Sequence, residues 1–184
     1  MFEGKYDIIY ADPPWSYYGD AHKMGAAGKH YALMSDEELA KLPVKELLRD
    51  HKRGAFFIWA TCPKLDLAIR TIDAWGLHYR GVAFNWIKTR RDGGVIGAQG
   101  VPPTSTKPTS ELCLLATTCA KGRPFPLLDA GVPQVILAPR TRHSEKPAEV
   151  RERIVRLYGD RPRIELFARE ITPGWDAWGN EVYQ

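Results

Sequence analysis

The chain has 184 residues, of which 44% are hydrophobic and 26% are charged, and its formal net charge is +4. This length and apolar content favour one globular domain over residues 1–184 with a sizeable core. No apolar run approaches about 18 residues, so we expect no transmembrane helix, and the N-terminus lacks the pattern of a signal peptide. The mild positive charge allows an anionic partner such as nucleic acid without requiring one.

Three cysteines are scattered along the sequence, at Cys62, Cys113 and Cys119. An odd count with no C-x-x-C pair argues against a disulfide framework and against a structural zinc site. We therefore expect a protein of the reducing cytoplasm that holds no metal ion.

Apolar segments typical of strands alternate with segments of helical period, which predicts an α/β domain. The second and fourth strands are nearly continuous apolar runs, as in strands that are buried on both faces. The expected strands are Tyr6–Ala11, Ala55–Ala60, Tyr79–Ile87, Leu112–Thr117, Val135–Ala138 and Arg163–Ala168.

Three helices are expected between these strands. The first begins after Ser35, an N-cap whose capping box is completed by Glu38, and it is broken or restarted at Pro43. The other two cover Pro63–Trp75 and Pro147–Tyr158, and each is followed by a glycine.

Two segments are long enough to predict functional loops, Trp15 to Leu33 and Thr89 to Ser110. Their glycines permit many backbone conformations, so we expect both loops to be mobile without ligands and to order over a bound substrate. The second loop also carries three cations that we expect to contact phosphate, namely Arg90, Arg91 and Lys107.

A carboxylate, two prolines and an aromatic residue directly follow the first expected strand, as Asp12-Pro13-Pro14-Trp15. Such a turn suits methyl transfer to a planar exocyclic amine, which reacts better when two acceptors hold its N–H groups. Asp12 can supply one acceptor and the Pro13 carbonyl the other, in a turn that the prolines make rigid. The ring of Trp15 can stack on the base.

The same four residues also fit a strand followed by an ordinary proline-rich turn, because Asp-Pro often starts turns and Trp often anchors loops. A nucleotide hydrolase with a metal-binding aspartate at the strand end is disfavoured. That class needs a G-x-x-x-x-G-K-[ST] loop, which the sequence does not contain.

Four further segments agree with this motif in order and spacing. Together the five resemble the DPPW-type N6-adenine methyltransferases, the family of the eukaryotic messenger-RNA adenosine methyltransferase, which also has compact bacterial and phage members. The resemblance implies a Rossmann-like fold with a mostly parallel sheet flanked by helices, S-adenosylmethionine as cofactor, and adenine N6 in nucleic acid as acceptor. The four segments are Asn85–Lys88, Ser110–Leu114, His143–Pro147, and Glu165–Arg169 with Gly174–Glu181.

The resemblance also implies a role for each matching residue. Catalysis is assigned to Asp12, Pro13, Pro14 and Trp15. The cofactor is expected to contact Asp12, Ser144, Lys146, Phe167, Arg169, Asn180 and Glu181, the last two at its ribose hydroxyls. The acceptor side is expected to include Tyr31, Trp86, Lys88 and Glu111, with Arg90 and Arg91 as further substrate contacts.

The chain departs from the larger members of that family in two places. They carry an acidic residue well upstream of the motif, at the cofactor's adenine, whereas only eleven residues precede Asp12. The Gly179–Glu181 region is a candidate for that pocket. Residue 181 is Glu where the messenger-RNA enzyme has Gln.

Several functional alternatives stay open at this point. DNA is favoured over RNA, because no appended RNA-binding domain is recognisable in this compact chain. A subunit that keeps the fold but only binds nucleic acid is disfavoured, since the catalytic motif is intact. Related Pro-Pro motifs also serve cytosine, guanine and glutamine amines. The sequence predicts no membrane partner and leaves room for a homodimer.

Overall fold

A seven-stranded sheet runs through the described part of the chain. The computed structural model of the protein describes residues 4–15, 34–97, 106–141, 145–179 and 182. The strands are β1 (Ile8–Ala11), β2 (Ala55–Thr61), β3 (His78–Thr89), β4 (Ser110–Thr117), β5 (Val135–Pro139), β6 (Arg163–Leu166) and β7 (Asp176–Trp178). The α-helices are α1 (Asp36–Ala40), α2 (Leu65–Ala74) and α3 (Glu149–Tyr158), with 3-10 turns at Val44–Leu47 and Cys62–Lys64.

The order of the strands places one antiparallel strand inside an otherwise parallel sheet. The order is β5-β3-β4-β2-β1-β6-β7, and β4 runs antiparallel to both β2 and β3 while the remaining neighbours are parallel. β4 therefore begins at the edge where the other strands end, and its second residue, Glu111, lies opposite Thr61 and Trp86. This mostly parallel sheet flanked by helices confirms the predicted fold class.

Both faces of the sheet are buried, each in its own hydrophobic cluster. Ile9 and Phe56 belong to the cluster that contains the apolar face of α2, whereas Ile8 and Phe57 belong to the cluster that contains α3. Phe57 also stacks on Phe84, with ring centroids 5.9 Å apart. Burial on both faces explains why the central strands have nearly continuous apolar sequences.

All six expected strands are present, and their boundaries differ from the expected ones by at most two residues. β6 ends at Leu166 because Phe167 has φ 61°, a left-handed conformation that does not continue a strand. β7 has no counterpart among the expected strands, since three residues are too few to show an alternating pattern.

The start of α1 confirms the predicted capping box. The Ser35 hydroxyl accepts a hydrogen bond from the Glu38 amide, and the Ser35 amide donates to the Glu38 carboxylate at 2.8 Å. The other two helices begin two residues later than expected, at Leu65 and Glu149. Each is followed by a glycine with positive φ, Gly76 at 68° and Gly159 at 83°.

Parts of both expected loops fall outside the described residues, namely positions 16–33 and 98–105. Among the helices of the described ranges, none combines the length and the apolar content that crossing a bilayer requires.

Gly179 follows β7 where the chain passes very close to the backbone of Ala168. A Cβ atom at residue 179 would lie 2.1 Å from the Ala168 carbonyl oxygen, and the Ala168 amide donates to the Trp178 carbonyl at 3.0 Å. We therefore expect Gly179→Ala to separate β7 from β6 and to lower the free energy of unfolding by about 1–3 kcal/mol, as at other overpacked positions. Urea denaturation measures the change.

Gly131→Ala is the matched control, because the nearest atom to a Cβ there is a carboxylate oxygen of the Asp129 side chain at 3.2 Å. That variant should change the free energy of unfolding by less than about 0.5 kcal/mol. Equal losses in the two variants would contradict the importance of the close approach at Gly179.

Candidate active site

The Asp12 motif lies at the carboxyl end of β1, between the parallel neighbours β2 and β6. Two hydrogen bonds fix its turn: the Trp15 amide donates to the Pro13 carbonyl at 2.8 Å, and the Trp15 indole N–H donates to the Trp59 carbonyl at 2.9 Å. Only 5% of Trp15 is exposed. Trp15 is thus an anchor of the turn in this structure. Because so little of its ring is exposed, almost no ring surface is available for the predicted stacking on a base.

Three further charged side chains meet Asp12 at this edge of the sheet. The Lys146 ammonium lies 2.7 Å from Asp12 Oδ2 and 3.3 Å from Glu111 Oε2, and the Lys88 ammonium lies 2.5 Å from Glu111 Oε1. We call these four residues the ion cluster. The exposed fraction of each side chain is small, from 6% for Lys146 to 21% for Asp12. The cluster thus brings together four residues that the sequence assigned to the site.

Burial disfavours the charged forms of the residues in the ion cluster, whereas pairing with opposite charges favours them. Burial raises the pKa of Asp12, and the nearby Lys146 offsets only part of that rise. Burial also opposes ionisation of Glu111, but Lys146 and Lys88 outweigh it and hold the pKa of Glu111 below its usual range. Burial disfavours the Lys146 ammonium, yet Asp12 and Glu111 together raise its pKa. Of the two carboxylates, Asp12 is therefore the one whose charge is less stabilised, and it is also the more exposed.

Two tryptophan rings lie beneath the two lysines. Trp59 and Trp86 pack edge to face, with ring centroids 6.3 Å apart. The Lys146 ammonium is 5.5 Å from the Trp59 ring centroid, and the Lys88 ammonium is 5.1 Å from that of Trp86. These distances suit cation–π attraction.

Trp86 itself is almost fully buried. Only 2% of it is exposed, and its indole N–H donates to the Ala138 carbonyl at 2.9 Å. In this structure the Trp86 ring therefore has no exposed face for the predicted contact with the acceptor. The ring instead lies under the Lys88 ammonium.

The expected cofactor residues at the end of β6 lie on the other side of Asp12. Phe167 has the left-handed φ noted above and packs edge to face on Trp178, with ring centroids 5.4 Å apart. Arg169 lies close enough to Asp12 for its positive charge to offset part of the rise in the pKa of that carboxyl group. The remaining predicted site residues lie outside the described residues: Tyr31, Ser144, Asn180 and Glu181.

The predicted phosphate contacts are exposed at the start and end of the loop between β3 and β4. Arg90 lies in a tight turn where its amide donates to the Gly94 carbonyl at 2.7 Å and its guanidinium to Asp92 at 3.1 Å. Arg91 and Lys107 are also exposed. None of the three belongs to the ion cluster.

Trp59 is a neighbour of the site that none of the five sequence motifs includes. The only sequence signal for this was its position: Trp59 lies two residues before the end of β2, which pairs with β1, and Asp12 directly follows β1. A pattern along one strand does not reveal which side chains of other strands reach it.

A carboxylate and a rigid proline turn at a central strand end, in a mostly parallel sheet, are features of a Rossmann-like methyltransferase. The MT-A70 family model matches residues 6–181. The chain therefore belongs to the MT-A70 family, which confirms the resemblance identified from the motifs.

Individual relatives extend this result. Type II methyltransferase M.MunI of Mycoplasma sp is 31% identical over 196 residues, covering 97% of this chain and 78% of that protein. Human METTL3, the catalytic subunit of an N(6)-adenosine-methyltransferase, is 29% identical over 97% of this chain and 28% of its own length. Human METTL4, an N(6)-adenine-specific methyltransferase, is 26% identical over 96% of this chain and 37% of its own length. The chain thus spans less than half the length of either human protein.

The depressed pKa of Glu111 predicts a pH-dependent contribution to stability. Its ordinary value is 4.5, so the unfolded chain takes up this proton first as the pH falls. The ionised carboxylate stabilises the fold fully above about pH 4.5, and the stabilisation is lost as the pH falls through the pKa of the folded state. Each unit of depression contributes about 1.4 kcal/mol.

We therefore expect Glu111→Gln to be less stable than the wild type near pH 7 and the difference to shrink below pH 4.5. Urea denaturation of both proteins from pH 7 to pH 3 measures this difference. A gap in unfolding free energy that stays constant over that range would contradict the electrostatic role of Glu111.

Proposed function

We propose that the protein transfers a methyl group from S-adenosylmethionine to the exocyclic N6 amine of adenine in nucleic acid, with DNA favoured over RNA. Membership of the MT-A70 family and the N6-adenine relatives support this reaction class. The observation that carries the proposal is the Asp12 carboxylate, which lies at the end of β1, remains 21% exposed, and is followed by the rigid Pro13 turn.

Asp12 and the Pro13 carbonyl are the two acceptors that the target amine needs. Lys146 bonds to Oδ2 of Asp12, which leaves Oδ1 as the oxygen that can accept from an amine N–H. The Pro13 carbonyl already accepts from the Trp15 amide, and a carbonyl oxygen has a second lone pair. Both acceptors are held before the substrate arrives, which is the condition for stabilising charge that develops in the transition state.

The side chains around Asp12 fit a cofactor with ammonium, carboxylate and sulfonium groups. Asp12 can accept from the ammonium, Arg169 can bind the carboxylate, and the Phe167 ring can stabilise the sulfonium. The left-handed φ of Phe167 is a strained conformation of the kind that persists at ligand sites. S-adenosylmethionine supplies the methyl group when bound. The residues that would hold it are Asp12, Lys146, Phe167 and Arg169, with Ser144, Asn180 and Glu181.

The ion cluster then governs the charge of Asp12 during the reaction. Lys146 stays protonated between Asp12 and Glu111, and its positive charge favours the ionised form of Asp12, which can accept hydrogen bonds. The amine nitrogen becomes cationic once it is methylated and then releases one proton. Asp12 therefore need not act as a strong base, and orientation of the amine is its main contribution.

DNA stays the first candidate, as expected from the sequence, and the chain covers 78% of the type II methyltransferase of Mycoplasma sp but 28% of METTL3. RNA is the second candidate, since METTL3 is named for adenosine methylation. In duplex DNA the target base must leave the stack to reach a strand-end site, so unpaired adenines should react faster.

Mass spectrometry of nucleosides distinguishes these substrates. The protein is incubated with methyl-labelled S-adenosylmethionine and with DNA and RNA oligonucleotides of the same sequence. Label in N6-methyldeoxyadenosine supports DNA, and label only in N6-methyladenosine transfers the proposal to RNA. Label in neither nucleoside contradicts the proposed function.

Asp12→Asn keeps the shape of the side chain but replaces one acceptor oxygen with a donor. We expect kcat for methyl transfer to fall by at least about 10²-fold, as for other preorganised groups at a reacting centre. Asp66→Asn is the control, because Asp66 is 68% exposed on α2, where it pairs with Arg70. Near-normal turnover in Asp12→Asn would remove Asp12 from the catalytic role.

The three exposed cations of the β3–β4 loop provide a separate test of nucleic-acid binding. Replacing Arg90, Arg91 and Lys107 with Gln should weaken binding and reduce the slope of log affinity against log salt by about 0.7–0.9 for each phosphate that these cations neutralise. The control replaces three exposed cations elsewhere, Lys41, Lys52 and Arg70, and so removes the same net charge.

Binding of an adenine-containing oligonucleotide is measured at several salt concentrations, together with cofactor affinity. Only the loop variant should show a flatter salt slope, and cofactor affinity should be unchanged. The same slope in the loop variant and the wild type would place the phosphate contacts elsewhere.

A further inference from the structure

Trp59 contacts both parts of the candidate site through different atoms. Its backbone carbonyl accepts from the Trp15 indole at 2.9 Å, and its ring centroid lies 5.5 Å from the Lys146 ammonium. Its own indole N–H donates to the Tyr10 hydroxyl at 2.6 Å. Trp59 is only 1% exposed, so direct contact with a substrate is not its role.

Buried polar groups behind Trp59 fix the orientation of its ring. Tyr10 is fully buried, and the Arg151 guanidinium lies 5.6 Å from the Tyr10 ring centroid. Arg151 is itself held by a bidentate ion pair with Glu165, with N–O distances of 2.7 and 2.8 Å. Groups from β1, α3 and β6 thus determine how the indole faces Lys146.

We propose that Trp59 is a positioning residue for methyl transfer, which holds the Lys146 ammonium between Asp12 and Glu111 while its carbonyl anchors the Asp12 turn. This inference rests on the proposed function. It assigns to a buried strand residue a part in the reaction that neither the motif nor its neighbours in the sequence indicate.

The physical need for such support comes from the flexibility of lysine. Four rotatable bonds separate the Lys146 ammonium from its backbone, and contacts with two carboxylates alone do not fix its position. The flat face of the Trp59 ring adds a further contact. For a desolvated lysine this attraction corresponds to about a ten- to thirty-fold change in an equilibrium constant.

Ordinary core packing is the competing explanation, and Trp75 provides the comparison. Trp75 is 5% exposed, and its indole N–H donates to the Leu39 carbonyl at 2.8 Å. It packs in the hydrophobic cluster on the opposite face of the sheet from the Trp59 ring. Substitution of either residue therefore removes a buried indole and its hydrogen bond. Only substitution of Trp59 also removes a contact with Lys146.

The experiment uses a graded series, Trp59→Phe and Trp59→Leu, with Trp75→Phe and Trp75→Leu as controls. Tyr10→Phe removes the acceptor of the Trp59 indole without touching Lys146. The first readout is the titration of the Asp12 carboxyl group in the ligand-free protein, followed by carbon-13 NMR. The second is kcat and KM for methyl transfer to the adenine oligonucleotide.

Lys146 lowers the pKa of Asp12, so displacing its ammonium should move the Asp12 titration to higher pH. We expect that shift in Trp59→Leu, a smaller one in Trp59→Phe, and a small one in Tyr10→Phe. We expect kcat to fall at least about ten-fold in Trp59→Leu and to recover partly in Trp59→Phe, with KM for the cofactor nearly constant. The Trp75 variants should change stability alone.

An Asp12 titration in Trp59→Leu that matches the wild type would overturn the proposal, and Trp59 would be a core residue only. The Phe variant decides the question if Trp59→Leu does not fold. A wild-type protein that methylates neither DNA nor RNA would overturn the proposed function instead, and the titration would still show whether Trp59 positions Lys146.

Discussion

Four charged residues at the carboxyl edge of the sheet, of which Glu111 and Lys146 are buried and Asp12 and Lys88 are partly buried, constrain much of the remaining structure. Lys88, Glu111, Lys146 and Asp12 form a continuous series of ion pairs, in which each carboxylate meets at least one ammonium. Removing one member of a buried pair leaves an uncompensated charge, at a cost of about 3–5 kcal/mol. The elements that carry these residues must therefore keep their positions relative to one another. The same arrangement leaves Asp12 with a raised pKa and some exposure, so the charge of Asp12 is less stabilised than that of Glu111.

The antiparallel direction of β4 makes this arrangement possible. In an all-parallel sheet, a residue at the start of a strand lies at the edge opposite to the strand ends. Because β4 is reversed, Glu111 comes to lie opposite Thr61 and Trp86 at the edge where β1 ends and Asp12 follows. Lys88 follows Trp86 by two residues, so both side chains point to the same face of β3. Lys88 and Lys146 then each pair with one oxygen of Glu111, and each lysine lies over a tryptophan ring.

The sequence was sufficient for the fold class, the family and the six longer strands, because strands buried on both faces leave continuous apolar runs. It also predicted that Asp12, Lys146 and Glu111 belong to one site, through motifs whose spacing resembles a known family. It did not predict the direction of β4 or the short strand β7, since pairing between distant segments leaves no local pattern. For the same reason, it did not show that the Trp15 and Trp86 rings are almost fully buried, and it did not connect Trp59 with Lys146.

The ion pair between Asp12 and Lys146 joins the Asp12 turn to the rest of the ion cluster, and a double-mutant cycle tests it most directly. Asp12→Asn, Lys146→Met and the double variant are compared with the wild type by urea denaturation at pH 7. The structure predicts a coupling free energy of about 1–3 kcal/mol, as for other buried residues in direct contact. Additive effects of the two substitutions, with no coupling, would contradict an ion cluster built around Asp12.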